Sequence, residues 1–151
     1  MDIVLVNPQI PQNTGSIART CAATNTPLHI VGKPAFEISD RTVKRAGLDY
    51  WPYVKLYQHK SFEDYLILAK PNKVWLLSKF GTNPYYKAEF NKDDALVFGS
   101  ETTGLGKEFI SKYPSEQVLL IPMLCDNVRS LNLSNAVSIV HYHSLFKTNL
   151  I

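Results

Sequence analysis

Cysteine and long apolar runs are both scarce in this sequence. It has two cysteines in 151 residues, Cys21 and Cys125, without a CxxC spacing or the regular spacing of a disulfide framework. We therefore expect reduced thiols in a cytoplasmic protein. The amino-terminal apolar run covers only residues 3–6, whereas a membrane-spanning helix needs about 20 apolar residues. We expect neither a signal peptide nor a membrane span.

Several motifs of common enzyme classes are also missing. Residues 96–106, LVFGSETTGLG, lack GxGxxG and the GKS or GKT ending of a P-loop, so neither dinucleotide nor nucleoside triphosphate binding is supported. No serine lies in a GxSxG elbow, which leaves serine hydrolase chemistry without support. His141 and His143 would face opposite sides of a helix and could not share a metal ion. We interpret them as surface or interface histidines and expect no metal.

The composition that remains is that of an ordinary globular domain. Hydrophobic residues make up 45% and charged residues 19% of the chain, and 151 residues suffice to bury a core. We expect a single domain over residues 1–151. The formal charge of +3 is compatible with a polyanionic partner, but a basic domain without such a partner explains it equally well.

Short apolar runs alternate with helical patterns, which indicates an α/β domain with a largely parallel sheet flanked by helices. The predicted strands cover residues 3–6, 28–31, 53–56, 74–77, 96–98 and 118–121. The predicted helices cover residues 14–24, 40–46, 61–69, 107–112 and 130–146.

Polar loops rich in glycine and proline follow four of these strands, at residues 7–15, 78–84, 99–104 and 122–129. In open parallel sheets, ligands bind in the crevice at the carboxyl ends of the strands. We therefore expect these loops to share one site. The last of them leads into a predicted helix whose first turn is crowded with polar side chains, and a helix start offers unpaired N–H groups to a polar ligand.

The first helix carries a cation near this predicted site. Asn13 or Thr14 is a plausible N-cap, and Arg19 lies on a different face from the apolar stripe. Arg19 is either a surface arginine on a solvated face or a guanidinium directed at a phosphate or a reacting oxygen. Glu101 is a lone carboxylate that could orient a cationic ligand, hold Arg19 or Arg129, or simply face solvent.

Residues 40–51 combine basic and aromatic side chains. Arg41, Lys44 and Arg45 fall at helical spacing, and Tyr50 and Trp51 follow a glycine. The segment is typical of a phosphate-contacting face with stacking rings, as in single-stranded RNA recognition. A solvated basic helix followed by core aromatics fits equally well.

The last predicted helix has two usable faces. Leu131, Asn135, Ser138 and Tyr142 share one stripe, and Leu133, Val137 and Val140 share another. We expect one face to pack on the sheet and the other, with Asn135, Ser138 and Tyr142, to contact a partner subunit.

Three segments together resemble the motifs of the SPOUT methyltransferases, in the branch that methylates ribose 2′-oxygens of RNA. They are NPQIPQNTGSIART at 7–20, LVFGSETTGL at 96–105 and IPMLCDNVRSLNLSNAVSIV at 121–140. The IPQNTG opening and the RTVKRAGLDYW segment at 41–51 most resemble the bacterial enzymes that methylate the wobble cytidine or uridine of tRNA. The likeness spans nearly the whole chain.

This resemblance implies a deep trefoil knot in the last third of the chain, an obligate homodimer, and S-adenosylmethionine as cofactor with S-adenosylhomocysteine as product. The implied cofactor contacts are Leu77, Ser78, Gly99, Glu101, Ile121, Met123, Ser130, Leu131 and Asn135. The implied catalytic positions are Asn13, Arg19, Glu101, Ser130 and Asn132. The substrate would be a tRNA anticodon stem-loop, contacted by Arg19 and by the basic residues Arg41, Lys44 and Arg45.

The implied reaction is attack of a ribose 2′-oxygen on the methyl carbon of the cofactor. By analogy with the family, Arg19 assists loss of the hydroxyl proton across the dimer interface. Because arginine is a poor base, electrostatic stabilisation of the developing oxyanion is the alternative role. Two other functions stay open at this point: a non-catalytic RNA-binding or assembly protein with the same fold, and an enzyme acting on a small nucleotide.

Overall fold

A computed structural model describes residues 1–37 and 50–151. The predicted helix over residues 40–46, with Arg41, Lys44 and Arg45, lies outside the described residues. The strands are β1 (Asp2–Val6), β2 (Leu28–Val31), β3 (Leu56–His59), β4 (Val74–Leu77), β5 (Asn83–Pro84), β6 (Ala95–Phe98) and β7 (Val118–Leu120). The α-helices are α1 (Pro11–Ala23), α2 (Phe62–Ala69), α3 (Lys107–Ile110) and α4 (Leu133–Lys147).

The strands form one sheet in the order β3-β2-β1-β6-β4-β7-β5, and every described pairing is parallel. The predicted α/β class with a parallel sheet is therefore confirmed. The carboxyl ends of β1, β6, β4 and β7 lie side by side, which brings together the four loops singled out in the sequence. The trefoil knot stays a prediction.

One predicted strand is misplaced and another was missed. Residues 53–56 were expected to be extended, but Trp51–Tyr53 form a 3-10 turn and β3 begins at Leu56. Pro52 explains the shift, since its fixed φ suits a turn and its nitrogen cannot donate to a sheet. The two-residue strand β5, which pairs with β7 through Asn83 and Pro84, has no apolar pattern that could have predicted it.

Apolar side chains fill both faces of the sheet. Alternate residues of β1 face opposite sides: Ile3 and Leu5 pack with residues of α1 and α4, and Val4 packs with residues of α2 such as Tyr65. Burial on both faces explains why the central strands read as continuous apolar runs. Among the described segments, 1–37 and 50–151, no helix is long and apolar enough to cross a membrane.

Helix α1 begins three residues earlier than predicted. Its N-cap is Ile10 and Pro11 is its first residue, a position where proline's fixed φ is favourable and its missing N–H costs nothing. Asn13 and Thr14 are therefore not caps. They lie inside the helix and are buried, with 6% and 1% of their surface exposed.

Helix α4 begins later than predicted. Asn132 is the N-cap, accepting a hydrogen bond from the Ser134 backbone N–H, so Arg129 and Ser130 belong to the preceding loop. The prediction of two different faces holds, because Val137 and Val140 are fully buried while Asn135 and Tyr142 are exposed.

His141 was interpreted as a surface or interface histidine, and that interpretation is wrong. Its side chain is fully buried between α4 and the end of α1. Its Nε2 atom lies 2.9 Å from Thr24 Oγ1 and 3.1 Å from Thr26 Oγ1. The signal missed in the sequence is that His141 follows Val137 by four residues and so shares its buried face.

Burial lowers the pKa of His141 to about 4, which makes stability depend on pH. The unfolded chain takes up this proton near pH 6.5 and the folded chain only near 4, so the stabilisation is complete above 6.5 and is lost as pH falls towards 4. We expect His141→Gln, which keeps hydrogen-bonding groups, to reduce the fall in unfolding free energy between pH 7 and pH 4.5 by about 1–3 kcal/mol. Urea unfolding at the two pH values measures it, and an unchanged fall would contradict the prediction.

Candidate functional site

A cavity of about 690 Å³ opens at the carboxyl ends of the central strands, a volume in the range of small-molecule sites. All four predicted loops contribute to its wall. The lining comprises Ile10, Asn13, Leu77, Ser78, Lys79, Phe80, Phe98, Gly99, Ser100, Glu101, Thr102, Thr103, Gly104, Leu105, Gly106, Leu120, Ile121, Met123, Cys125, Asp126, Val128, Arg129, Ser130, Leu131, Asn132, Leu133 and Ala136.

A chain of side-chain hydrogen bonds joins three of these loops. Asn13 Nδ2 donates to Glu101 Oε1 at 3.0 Å, and Asn132 Nδ2 donates to Asn13 Oδ1 at 2.9 Å. Asn132 Oδ1 in turn accepts from the Ser134 hydroxyl at 2.6 Å. The buried Asn13 amide therefore ties the start of α1 to the loop after β6 and to the N-terminus of α4.

Glu101 is held by the backbone of the first loop as well. Its two carboxylate oxygens accept from the N–H groups of Gln9 and Ile10, at 2.8 and 3.1 Å. Partial burial raises the pKa of Glu101, but the hydrogen bonds from Asn13, Gln9 and Ile10 outweigh it and leave the pKa below its ordinary value. Glu101 is therefore an ionised group at the cavity wall. The sequence suggested Arg19 or Arg129 as its partners and did not anticipate these donors.

Gly99 allows the loop after β6 to fold back on itself. A Cβ atom at this position would lie 2.0 Å from the backbone carbon of Gly104, so only glycine fits without moving the loop. The return is fixed by the Gly104 N–H, which donates to the Ser100 carbonyl at 2.9 Å. Backbone from residues 99–105 thereby forms one wall of the cavity.

The predicted cofactor contacts converge with one exception. Eight of them line the cavity: Leu77, Ser78, Gly99, Glu101, Ile121, Met123, Ser130 and Leu131. Asn135 is the exception, because it is exposed on the outer stripe of α4. The later helix start places Asn135 in the first turn of α4 but on the face away from the sheet.

The predicted catalytic residues divide in the same way. Asn13, Glu101, Ser130 and Asn132 line the cavity. Arg19 is exposed on the outer side of α1, where its guanidinium carbon lies 4.9 Å from the centre of the Tyr50 ring. Within one chain, the structure therefore does not bring Arg19 to the cavity wall.

Sequence reasoning missed several lining residues. Phe80 and Lys79 were assigned to a generic polar loop, and Ala136 to the first turns of a helix. The loop after β4 did carry a signal for Phe80. An aromatic residue next to a glycine in a loop at a strand end has no core to pack into, which favours a position in a binding site. Leu105 and Phe98 also line the cavity. Each lies in or beside an apolar segment, where nothing in the sequence separates a lining residue from a core residue.

The cavity combines surfaces that suit a nucleoside carrying a zwitterionic tail. Leu77, Phe98 and Leu120, at the ends of β4, β6 and β7, supply apolar surface, and the folded-back backbone at Gly99 offers peptide groups. The wall has both charge signs, with Glu101 and Asp126 beside Lys79 and Arg129. Within residues 1–37 and 50–151, no group of three or more His, Cys, Asp or Glu side chains is placed to hold a metal ion.

The profile of the SpoU rRNA Methylase family matches residues 1–142 of this chain. The chain belongs to this family. A protein of Synechocystis sp. is 48% identical over 144 residues, which cover 94% of this chain and 93% of that protein. The tRNA (cytidine(34)-2′-O)-methyltransferase of Saccharophagus degradans is 41% identical over 143 residues, with 95% and 92% covered.

Solved structures of SpoU methylases share the fold. One, described as giving structural insights into the 2-OH methylation of C/U34 on tRNA, superposes with a TM-score of 0.89 at 41% identity, covering 97% of this chain and 94% of the other. An AdoMet-bound rRNA methyltransferase from Sinorhizobium meliloti superposes with a TM-score of 0.81 at 21% identity, covering 95% and 55%. The second likeness is one of fold alone.

The hydrogen-bonded chain through Asn13 predicts a stability difference between two substitutions. Asn13→Ala removes bonds to Glu101 and Asn132 and should cost about 1–3 kcal/mol of unfolding free energy. Asn13→Asp should cost more at pH 7, because it sets a second carboxylate at hydrogen-bonding distance from Glu101. The excess should shrink near pH 4.5, where the pair shares a proton.

Urea unfolding at pH 7 and 4.5 checks this ordering. Gln12→Ala, at the exposed neighbouring position, is the control and should change stability by less than about 0.5 kcal/mol. Equal losses for the two Asn13 variants at both pH values would contradict the proposed coupling with Glu101.

Proposed function

We propose that this protein transfers a methyl group from S-adenosylmethionine to the ribose 2′-oxygen of the wobble cytidine or uridine in tRNA anticodon loops, in the cytoplasm. The observation that carries the proposal is the cavity at the strand ends, where hydrogen bonds join Glu101, Asn13 and Asn132. The protein that contains this cavity is a member of the SpoU family. Relatives at 41% identity over nearly the whole chain are described by that reaction. We further propose that residues 1–151 form a single domain.

The cavity residues fit this cofactor. Leu77, Ile121 and Leu131 offer an apolar surface for the adenosine, and backbone at Gly99 offers hydrogen-bonding groups. Arg129 suits a carboxylate, and Glu101 suits a cation. When bound, S-adenosylmethionine supplies an electrophilic methyl group and departs as S-adenosylhomocysteine.

The chain's own contribution is orientation and control of charge. Asn132 and Ser134 are fixed by hydrogen bonds at the N-terminus of α4, where backbone N–H groups and the helix dipole favour a developing negative charge. Ser130 and Arg129 lie in the loop just before that terminus. Holding a hydroxyl in the attacking geometry there can supply up to about 7–11 kcal/mol of the barrier reduction.

A homodimer would complete the site. Exposed apolar side chains on α4, including Ile139, Tyr142 and Phe146 with 38%, 46% and 67% of their surface exposed, extend the predicted Asn135, Ser138 and Tyr142 stripe. Contiguous exposed apolar surface of this kind marks protein contacts. Thr20 Oγ1 lies 3.5 Å from Ser138 Oγ, so the outer sides of α1 and α4 are adjacent. We propose that this joint face pairs with a second copy of the chain.

Arg19 is next to Thr20 on this proposed dimer face, which explains how a residue remote from its own cavity could act at the partner's cavity. We propose that Arg19 stabilises the developing oxyanion of the ribose there, since arginine stays protonated in proteins. Arg41, Lys44 and Arg45 remain proposed contacts to the tRNA phosphates.

The proposed reaction is tested by methyl transfer from labelled S-adenosylmethionine to total tRNA from a strain that lacks wobble ribose methylation. We expect label at nucleotide 34 after nuclease mapping. Calorimetry with S-adenosylmethionine accompanies the assay. Cofactor binding with label elsewhere would refute the wobble assignment, and absence of both binding and transfer would favour a non-catalytic RNA-binding protein.

Arg19→Ala should abolish methyl transfer and leave cofactor affinity near that of the unaltered protein. Ser130→Trp, which fills the cavity from an exposed position, should abolish cofactor binding. Neither variant should be active alone. If Arg19 acts across the interface, subunits mixed after mild dissociation should regain about a quarter of the activity. About half of the dimers are then mixed, and one of the two sites in each mixed dimer is intact. No recovery would place Arg19 in its own subunit's site, and full activity of Arg19→Ala would exclude a role.

A further inference from the structure

Phe80 is an exposed aromatic residue at the mouth of the cavity. It lines the cavity, yet 48% of its surface is exposed to solvent. The ammonium groups of Lys79 and Lys107 each lie 5.2 Å from the centre of its ring, within cation–π range. Neither Phe80 nor Lys107 has a role in the function proposed above.

The backbone holds this ring in place rather than leaving it on a loose loop. The Phe80 N–H donates to Ser78 Oγ at 3.2 Å, and the Gly81 N–H donates to the Ser78 carbonyl at 3.1 Å. A Cβ at Gly81 would lie 2.7 Å from the Leu119 backbone, so the turn packs directly on β7. A half-exposed apolar ring carried on a fixed backbone turn has less freedom to lose when a ligand binds.

The charges around the ring indicate an anion. Two ammonium groups that share one ring repel each other, and a phosphate between or beside them would relieve that repulsion. A flat ring flanked by cations is the arrangement that proteins use on unpaired RNA, where bases stack on aromatic side chains and phosphates pair with lysine. S-adenosylmethionine has no phosphate, and Arg129 elsewhere in the cavity wall suits its carboxylate.

We propose that Phe80 stacks on an unpaired base of the substrate RNA while Lys79 and Lys107 bind the adjacent phosphates. The proposal rests on the function proposed above, because it takes the ligand at the cavity mouth to be the anticodon loop. In this arrangement Phe80 is a positioning residue, which sets the loop at the mouth while the target ribose reaches the cavity. The contact selects for single-stranded RNA over duplex.

Phe80→Ala should weaken the binding of fluorescently labelled tRNA, measured by anisotropy, by about tenfold. Phe80→Trp should retain affinity because a larger ring also stacks. Calorimetry should give an S-adenosylmethionine Kd within about twofold of that of the unaltered protein for both variants. The control is Tyr86→Ala, since Tyr86 is equally exposed at 48% but lies outside the cavity lining, and it should leave tRNA affinity unchanged.

The lysines are tested by the salt dependence of the same binding. Lys79→Ala and Lys107→Ala should each lower the slope of log affinity against log salt by about 0.7. Lys73→Ala is the matched control: its ammonium also lies near a ring, 4.8 Å from the centre of Trp75, but just before β4, at the end of the strand opposite the cavity.

Unchanged tRNA affinity in Phe80→Ala, or a loss of cofactor affinity with tRNA affinity retained, would overturn the proposal. Failure of the proposed function is distinguishable, because it would appear as absence of methyl transfer by the unaltered chain. The binding measurements do not need turnover, and so they decide the role of Phe80 in either case.

Discussion

The site depends on one buried amide. Asn13 donates to Glu101 and accepts from Asn132, and so it joins loops that follow three different parts of the sheet. Each of those loops is polar and carries few apolar anchors, so their packing alone would not fix them. Because Asn13 is only 6% exposed, leaving its amide without a partner would be costly.

The sheet order provides the frame for that amide. Strand β6 lies between β1 and β4, so the Glu101 loop meets the start of α1 on one side and the Ser78 turn on the other. Close backbone approaches complete the enclosure, at Gly99 against Gly104 and at Gly81 against Leu119. Main chain therefore forms part of the cavity wall, at and beside the two positions where only glycine fits.

The sequence predicted the parts of this arrangement that have periodicity. Continuous apolar runs located β2 and β4 with the bounds that the structure has, because strands buried on both faces leave little ambiguity. The edge strands were predicted poorly because they are not buried on both faces. Strand β3 has exposed residues and follows a turn that contains Pro52, and β5 is two residues long. Local signals could not place Ile10 as a cap, whereas the burial of His141 could have been predicted from its four-residue spacing from Val137.

The predicted site residues also divide into those that a sequence pattern located and those that it could not locate. Motif resemblance pointed to ten of the residues that line the cavity, whereas Asn135 lies outside the lining because its outward direction depends on where α4 begins. Two of the three partners of Glu101, at Gln9 and Ile10, could not be predicted, since backbone N–H groups leave no trace in a sequence.

The Asn13 bonds also determine when during synthesis the site can exist. They connect positions 88 and 119 residues apart, and the second partner precedes the final helix. A nascent chain that has produced β1, α1 and β2 therefore holds an amide that stays solvated until residues 101 and 132 have left the ribosome. Chains that stop before residue 132 can pair their strands but lack the bond from Asn132, so this part of the cavity wall is completed late in synthesis.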